Sequence, residues 1–559
     1  MNRAEIKKVL DELTADVTAI TDPRASAAIK VLINLVEILV EQNSALQEAN
    51  QQLKDENNRL KGEQGKPDIR KQSEGDDNNN TDHSSENDRK KRNKEKKRKQ
   101  KMKKKGAISI NRQETITIDK SILPEDAIFK GYEKRIIQDI KFSTDNIEFS
   151  LQTYYSPLLK KTFIADLPAG YHGEFGPGIR AMVITLYRDS GMAEPAIERF
   201  FKIFGTHISK STISRMITEG HDCFHDEKEK IIDAAFRASE YQHIDDTGCR
   251  VNGKNHYTHI LCNPYFTAFF TRPKKDRLTI LEILCRDELK YKFNKESYSL
   301  MVAIGLSDKC LLALKKVVRE EIITRSEVDG ILKLLFPNPK KYSTSRRVIL
   351  ESSAIVYYRD SEFSILHLIC DDAPQFNLIA RFKALCWIHE GRHYKKLNPI
   401  FAAHRIHLDN FIEQFWDYYD ELLTYKQNPT NELAKQLSEG FDTLFSKEIG
   451  YDALDKRIAM TLAKKEALLL VLKFPFLPLH NNPAESGARV QARMRDINLQ
   501  TISKNGTRTK DTFATIVQTA RKLGVNIYDY VYDRISEKYS MPSLESLIAQ
   551  QPRICHNTS

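Results

Sequence analysis

The chain has 559 residues, 40% hydrophobic and 29% charged, which allows several domains with large cores and excludes a fibrous or wholly disordered polymer. Its net charge of +11 is misleading: residues 89–105 hold thirteen Lys/Arg and one Glu, and everything outside that run sums to −1. The basic character therefore belongs to one short segment, and the isoelectric point alone does not establish a nucleic-acid partner.

The eight cysteines are scattered and no two have Cys-x-x-Cys spacing, so neither a zinc ribbon nor a redox pair is signalled. A reducing cytoplasm is the expected compartment. The first eight residues lack the apolar core of a signal peptide. The best apolar run, 467–479, is broken by Lys473 and Pro475 and falls short of the roughly 20 residues a membrane helix needs.

In chain order, Leu32, Leu39, Leu46, Leu53 and Leu60 recur every seven residues, with Ile29, Val36, Asn43, Asn50 and Asn57 at the companion positions. Leu at d with β-branched or Asn residues at a predicts a parallel two-stranded coiled coil over 29–60, and so a homodimer or larger. A single amphipathic helix packed on the body is the alternative. Residues 63–106 lack core-forming residues and are read as a disordered basic linker able to touch DNA phosphates. Alternation in Glu114–Ile118 and Ile147–Tyr154 predicts a small β module over 107–167.

Residues 168–235 read as a helical region. A helix over Ile179–Asp189 is followed by one entered at Pro195, a turn at Gly205, and a third capped by Ser209. The third helix opens with Lys210, Ser211 and Thr212 and carries Arg215, which resembles a helix-turn-helix; any polar-faced helical hairpin looks similar. Two β-like runs, 256–262 and 266–272, form a hairpin, and Ile365–Cys370 reads as an apolar strand. Two insertions are expected, at about 276–362 and 405–478. The catalytic domain is placed at 236–500 and a helical segment at 501–559.

Three acids stand where the chain changes character. Asp245 follows Tyr241–Ile244, Asp371 follows Ile365–Cys370, and Glu485 lies in the first turn of a helix whose expected N-cap is Asn482. In each of the pairs Asp245–Asp246 and Asp371–Asp372, strand alternation lets only one carboxylate face a shared site, and the first of each is chosen. The second is expected to face solvent or cap the next turn. Glu485 also has the spacing of a capping box, where it would serve only the backbone. Against that, Glu485, Arg489 and Arg493 are spaced i, i+4, i+8 and line one helix face, a surface suited to phosphates. Three converging carboxylates can hold two Mg²⁺ ions, or Mn²⁺, about 3.5–4 Å apart for phosphodiester chemistry.

A rival pattern is His389-Glu390-x-x-His393, the zinc-protease signature. Gly391 inside the helix, Lys396 where the extended pattern wants Gly, and the strand-like Ala384–Trp387 count against it.

Together the blocks resemble the DDE transposases of bacterial insertion sequences, the IS66 group. They are Asp245-Asp-Thr247, Asp371–Phe376, Cys386-Trp-Ile-His-Glu-Gly-Arg392, Asn481–Glu485 with Arg489, and the tail Thr519–Tyr530. The resemblance covers most of residues 110–535. It implies an α/β ribonuclease-H-like catalytic domain, a mixed sheet flanked by helices, with Asp245, Asp371 and Glu485 as its metal-binding triad. His389 and Arg392 become DNA-side residues of the motif rather than zinc ligands. The implied partners are double-stranded DNA, as terminal repeats and as target, and accessory proteins of the same element. The chain departs from the group in lacking Cys-x-x-Cys pairs near Tyr154, and in having His480 and Ser486 where the group has Asp and Arg. An active transposase is the first expectation; a DNA-binding derivative without catalysis is the alternative.

Overall fold

The structure is a computed structural model, and it describes residues 22–60, 110–119, 124, 127, 129–137, 140, 143–286 and 288–555. The basic run 89–105, and the linker expected around it, lie outside the described residues. Helix α1 spans Pro23–Leu60, as the heptads predict. It docks on the body through the opposite side from its leucines. Buried Glu37 accepts from the backbone N–H groups of Ile400 (2.8 Å) and Phe401 (3.1 Å), and His404 Nδ1 lies 2.9 Å from its other oxygen. Leu32, Leu39, Leu46 and Leu53 are each about 60% exposed, and Asn43, which the heptad reading places in a seam, is exposed as well.

The expected β module reduces to one hairpin of β1 (Thr153–Ser156) and β2 (Lys161–Ile164). Residues 114–118 and 147–152 form no strand despite their alternation. Their apolar side chains, Ile116, Ile118 and Ile147 among them, meet no buried face that would hold them in register.

Three short helices follow: α2 (Pro177–Arg188), α3 (Glu194–Ile203) and α4 (Lys210–Thr218). They share a small core of Val183, Tyr187, Ile197, Phe201, Ile208, Ile213 and Ile217. Gly205 turns between α3 and α4 at φ +75°, a conformation that favours glycine. Helix α5 (Asp222–Ala238) then leads into the sheet.

The sheet has the strand order β5-β4-β3-β8-β9. Its members are β3 (Tyr241–Val251), β4 (Lys254–Asn263), β5 (Phe266–Arg272), β8 (His367–Cys370) and β9 (Phe382–Leu385). β3, β4 and β5 form an antiparallel meander, while β8 and β9 join β3 in parallel. A mixed sheet of this order, flanked by helices, is compatible with a ribonuclease-H-like domain.

Between β5 and β8 lie α6 (Arg277–Leu284), β6 (Tyr291–Lys292), α7 (Lys295–Ala303), α8 (Asp308–Val317), β7 (Ile322–Ile323), α9 (Arg325–Leu335) and α10 (Ser343–Arg359). This stretch, the first expected insertion, packs into the core of the sheet. Leu281, Met301, Leu332, Ile349 and Ile355 belong to the same buried cluster as Ile244 and Leu368 of the sheet. The second expected insertion does form its own core. After α11 (Trp387–Lys395) come α12 (Ala402–Tyr425), α13 (Asn431–Phe445), α14 (Asp452–Leu462), α15 (Lys465–Leu468) and α16 (Leu470–Lys473). Their aromatic residues enclose Trp387. Gly391 is helical after all: a Cβ there would stand 2.6 Å from the Trp416 ring, so the glycine lets two helices close.

The chain ends with α17 (Asn482–Asn498), α18 (Lys504–Leu523), α19 (Ile527–Ile535) and α20 (Leu544–Ala549). α18 seals the free edge of β5. The backbone N–H groups of Thr271, Phe269 and Thr267 donate to Asp511 (2.6 Å), Thr515 (3.2 Å) and Thr519 (3.4 Å). Four helical residues rise about 6 Å and two strand residues about 6.7 Å, so i, i+4, i+8 on a helix can match alternate N–H groups of a strand. Among the described residues no helix is long and apolar enough to cross a membrane, and all eight cysteines are free.

Candidate active site

β3 and β8 pair in parallel at Tyr241–His367, Gln242–Leu368 and His243–Ile369. The same register carried forward puts Asp245 level with Asp371, one residue past the end of β8. Asp245 is not a strand end, as the sequence suggested. β3 continues to Val251 because β4 still pairs with it, while β8 has already stopped. The first carboxylate of each pair thus stands where the sheet splits open.

Asp245 is largely buried. Burial, and next to it the negative charges of Asp371, Asp246 and Glu485, push its pKa up to about 7, against the N–H of Asp246 that donates to its Oδ1 at 2.8 Å. Asp371 Oδ1 accepts from the N–H of Ala373 at 3.1 Å. The second acids are not simply solvent-facing. Asp246 accepts from Gln375 at 2.8 Å and faces Lys275 at 3.6 Å, while Asp372 pairs with Lys464 at 2.8 Å and Lys383 at 3.4 Å.

Glu485 arrives on α17. The N-cap is Asn481, one residue earlier than expected, so Glu485 lies past the capping-box position and its N–H bonds to the Asn481 carbonyl at 3.1 Å. Its buried carboxylate is free for side chains. Arg392 Nη2 donates to Oε2 at 2.7 Å, Arg489 Nη2 stands 3.5 Å from the same oxygen, and His389 Nδ1 lies 3.5 Å from Oε1. Oε1 is buried and has no hydrogen-bond partner among the described residues. Burial lowers the His389 pKa, opposed by the charge of Glu485. α17 comes this close to the sheet because residue 487 is glycine: a Cβ there would stand 2.7 Å from Ile260 of β4.

Sequence reasoning missed the residue that aligns these parts. Asn481 does not cap its helix with its side chain. Its Nδ2 donates to the Ile244 carbonyl at 2.9 Å, its Oδ1 accepts from His243 Nδ1 at 3.0 Å, and its N–H reaches Cys386 Sγ at 3.1 Å. The signal available in the sequence was its place at the head of the Asn481–Glu485 block; its full burial is visible only in the fold.

The remaining expected residues fall in two groups. Arg489 is partly exposed and Arg493 exposed, along the face that begins at Glu485. On α4, Lys210, Ser211 and Arg215 are exposed; Thr212 is half-buried, its N–H held by Ser209 Oγ at 3.2 Å and its hydroxyl reached by Arg215 at 3.4 Å. These two groups are on separate elements of the fold. The zinc-protease pattern is not assembled. Glu390 is buried in ion pairs with Arg457 and, at 3.3 Å, Lys464, so it is no general base.

The donors sort by chemistry. Asp245 and Asp371 offer hard oxygens, and an Asp245 whose charge the fold leaves uncompensated fits a bound Mg²⁺. Among the described residues, Cys386, His389 and Glu485 bring one donor atom each to within 4.8 Å of one another. Glu485 therefore borders both sets.

Residues 364–509 match the family model described as Transposase IS66 family. That span includes Asp371, His389, Arg392, Glu485, Arg489 and Arg493, and begins after Asp245. An uncharacterised protein of Sinorhizobium fredii, y4jO, is 27% identical over 323 residues, spanning 57% of this chain and 99% of that protein.

The electrostatics of Asp245 predict a stability cost. Its folded pKa, about 7, lies above the ordinary carboxylate value near 4. Folding is thus unpenalised below about pH 4, loses stability as pH rises to 7, and carries the full penalty above that. Asp245→Asn should raise the Tm of the metal-free protein at pH 8 by at least about 2 °C and leave it nearly unchanged at pH 4. Thermal unfolding at both pH values checks this; an unchanged or lower Tm at pH 8 refutes the burial of an uncompensated charge.

Proposed function

We propose, from the match of residues 364–509 to the Transposase IS66 family model, that the chain cuts DNA at the ends of an insertion sequence and joins the freed 3′-hydroxyls to target DNA. The observation that carries the chemistry is the level placement of Asp245 and Asp371 across β3 and β8, with buried Glu485 brought to their edge by α17. In this reading Asp245, Asp371 and Glu485 would hold two Mg²⁺ or Mn²⁺ ions, which would supply Lewis-acid chemistry for phosphodiester cleavage. The chain's own groups do the rest. Arg392 holds Glu485 through Oε2, and Arg489 and Arg493 extend a cationic face along α17 for the DNA backbone. His389 stands between Glu485 and Arg392 on the same side.

Glu485→Gln should lower metal-dependent nicking of labelled element ends on the order of 100-fold or more. Nicking equal to the parent's removes Glu485 from the site. End binding by the parent with no metal-dependent cleavage at all favours the reading of a DNA-binding derivative.

The helical region α2–α4 is proposed as the end-recognition module, with Lys210, Ser211, Thr212 and Arg215 facing DNA. Its support is the exposed polar side of α4, opposite Ile213 and Ile217. Replacing Lys210 and Arg215 by alanine should weaken end binding and reduce the slope of log K against log salt by about 2. An unchanged salt slope places the DNA elsewhere.

Two copies are proposed to pair through α1. The support is the row of exposed leucines at seven-residue spacing, away from the side that Glu37 ties to the body. Leu39→Asp with Leu46→Asp should yield a monomer in sedimentation equilibrium without lowering Tm. A parent that is itself monomeric at micromolar concentration sinks the pairing.

A further inference from the structure

Beside the carboxylate pair lies a donor set of a different kind. Cys386 is the N-cap of α11 and His389 follows three residues later, while Glu485 enters from α17. The three donor atoms lie within 4.8 Å of one another. A four-coordinate zinc site separates its sulfur, nitrogen and oxygen ligands by about 3.3–3.6 Å, so a closure of roughly 1 Å suffices. We propose that Cys386, His389 and Glu485 form a binding site for one thiophilic divalent cation of the zinc class, distinct from the hard-oxygen pair Asp245 and Asp371.

Two independent observations support the site. Glu485 Oε1 and His389 Nδ1 are buried, face each other at 3.5 Å, and have no hydrogen-bond partner among the described residues. Burial pushes the Cys386 thiol pKa up to about 12, so it is protonated in the metal-free protein, but three backbone N–H groups oppose this: that of Asn481 at 3.1 Å, and those of Ile388 and His389 in the first turn of α11. Such donors stabilise a thiolate once a metal has replaced its proton.

Loading the site releases the Cys386 thiol proton to solvent, so cation binding weakens as pH falls. Nδ1 becomes the ligand atom and the ring proton moves to Nε2. Arg392, whose Nη1 faces Nε2 at 3.3 Å, must turn away there and keep its bond to Glu485 Oε2. Its guanidinium thus opposes a cation in the site. Resting on the proposed function, a further consequence follows: a soft cation draws Glu485 away from the Mg²⁺ pair and stops cleavage, so zinc-class ions become inhibitors competing for one shared carboxylate.

Cobalt(II) tests the site directly, because a thiolate ligand gives cobalt a charge-transfer absorption in the near ultraviolet that water and carboxylates do not. Titrating the full-length protein with Co²⁺ should develop this band at one equivalent, and Zn²⁺ should abolish it. Cys386→Ser, which keeps an acceptor for the Asn481 N–H, should remove the band. His389→Gln should weaken cobalt binding at least tenfold, and Arg392→Gln should tighten it several-fold. No band in the parent, a band that survives Cys386→Ser, or binding indifferent to His389→Gln overturns the proposal. Asp245→Asn separates the two readings: it should abolish Mg²⁺-dependent nicking and leave the cobalt band intact. Nicking that survives Asp245→Asn counts against the catalytic triad and not against this site.

Discussion

The candidate site depends on one buried amide. Asn481 lies between three segments far apart in the chain and bonds to each: the Ile244 carbonyl and His243 ring of β3, the Cys386 sulfur at the start of α11, and through its own carbonyl the first turn of α17. Burial drives the His243 pKa down to about 3, so the imidazole is neutral and its Nδ1–H donates to Asn481 Oδ1. A neutral hydrogen-bonded network tolerates a dry interior, where a charged residue would demand a counterion. Asp245 is the next residue after Ile244, and Glu485 is one helical turn after Asn481. The amide therefore sets the spacing of two of the three acids without touching either.

Close approach completes what the amide begins. Gly487 lets α17 lie against Ile260 of β4, and Gly391 lets α11 lie against Trp416 of α12. Both glycines accept the conformational cost of a Cβ-less helix position of about 1 kcal/mol to bring one helix nearer its neighbour. On the far edge of the sheet, α18 supplies side-chain acceptors to β5, which then cannot pair with another chain. The sheet that carries Asp245 is fixed on that side by hydroxyls and a carboxylate rather than by another strand.

Much of the fold was legible because its signals are periodic. The leucine heptads became α1, the apolar alternation near 256–272 became β4 and β5, and Pro195, Gly205 and Ser209 marked helix limits within a residue or two. What was not legible depended on long-range contact. Glu114–Ile118 alternates as a strand should, yet no neighbour among the described residues provides the second face. Residues 276–362 looked like an insertion by length alone, and only packing shows that Leu281 and Ile355 share a core with the sheet. Asn481 and Asn482 are equivalent as caps in sequence, and the structure uses the first because its amide reaches β3. The choice of the first aspartate in each pair followed from strand alternation; the ties of Asp246 to Gln375 and Lys275 did not, since they need the β8 loop in place.

Charge gives the last constraint on how DNA can meet this surface. Outside residues 89–105 the sequence sums to −1, of which the undescribed residues hold −7, so the described residues carry +6, a modest charge spread over a large surface. At physiological salt the screening length is about 8 Å, and attraction to phosphate must come from guanidiniums near contact. Around Glu485 these are Arg392, Arg489 and, one turn beyond, Arg493. The first two already face the carboxylate that a metal would claim. On the reading proposed above, a cation bound at Glu485 would weaken the 3.5 Å pairing with Arg489 while Arg392 keeps its closer bond to Oε2. Arg489 could then turn toward an incoming phosphate, so that cation and DNA would favour one another's binding through an exchange of ion pairs rather than through a large conformational change.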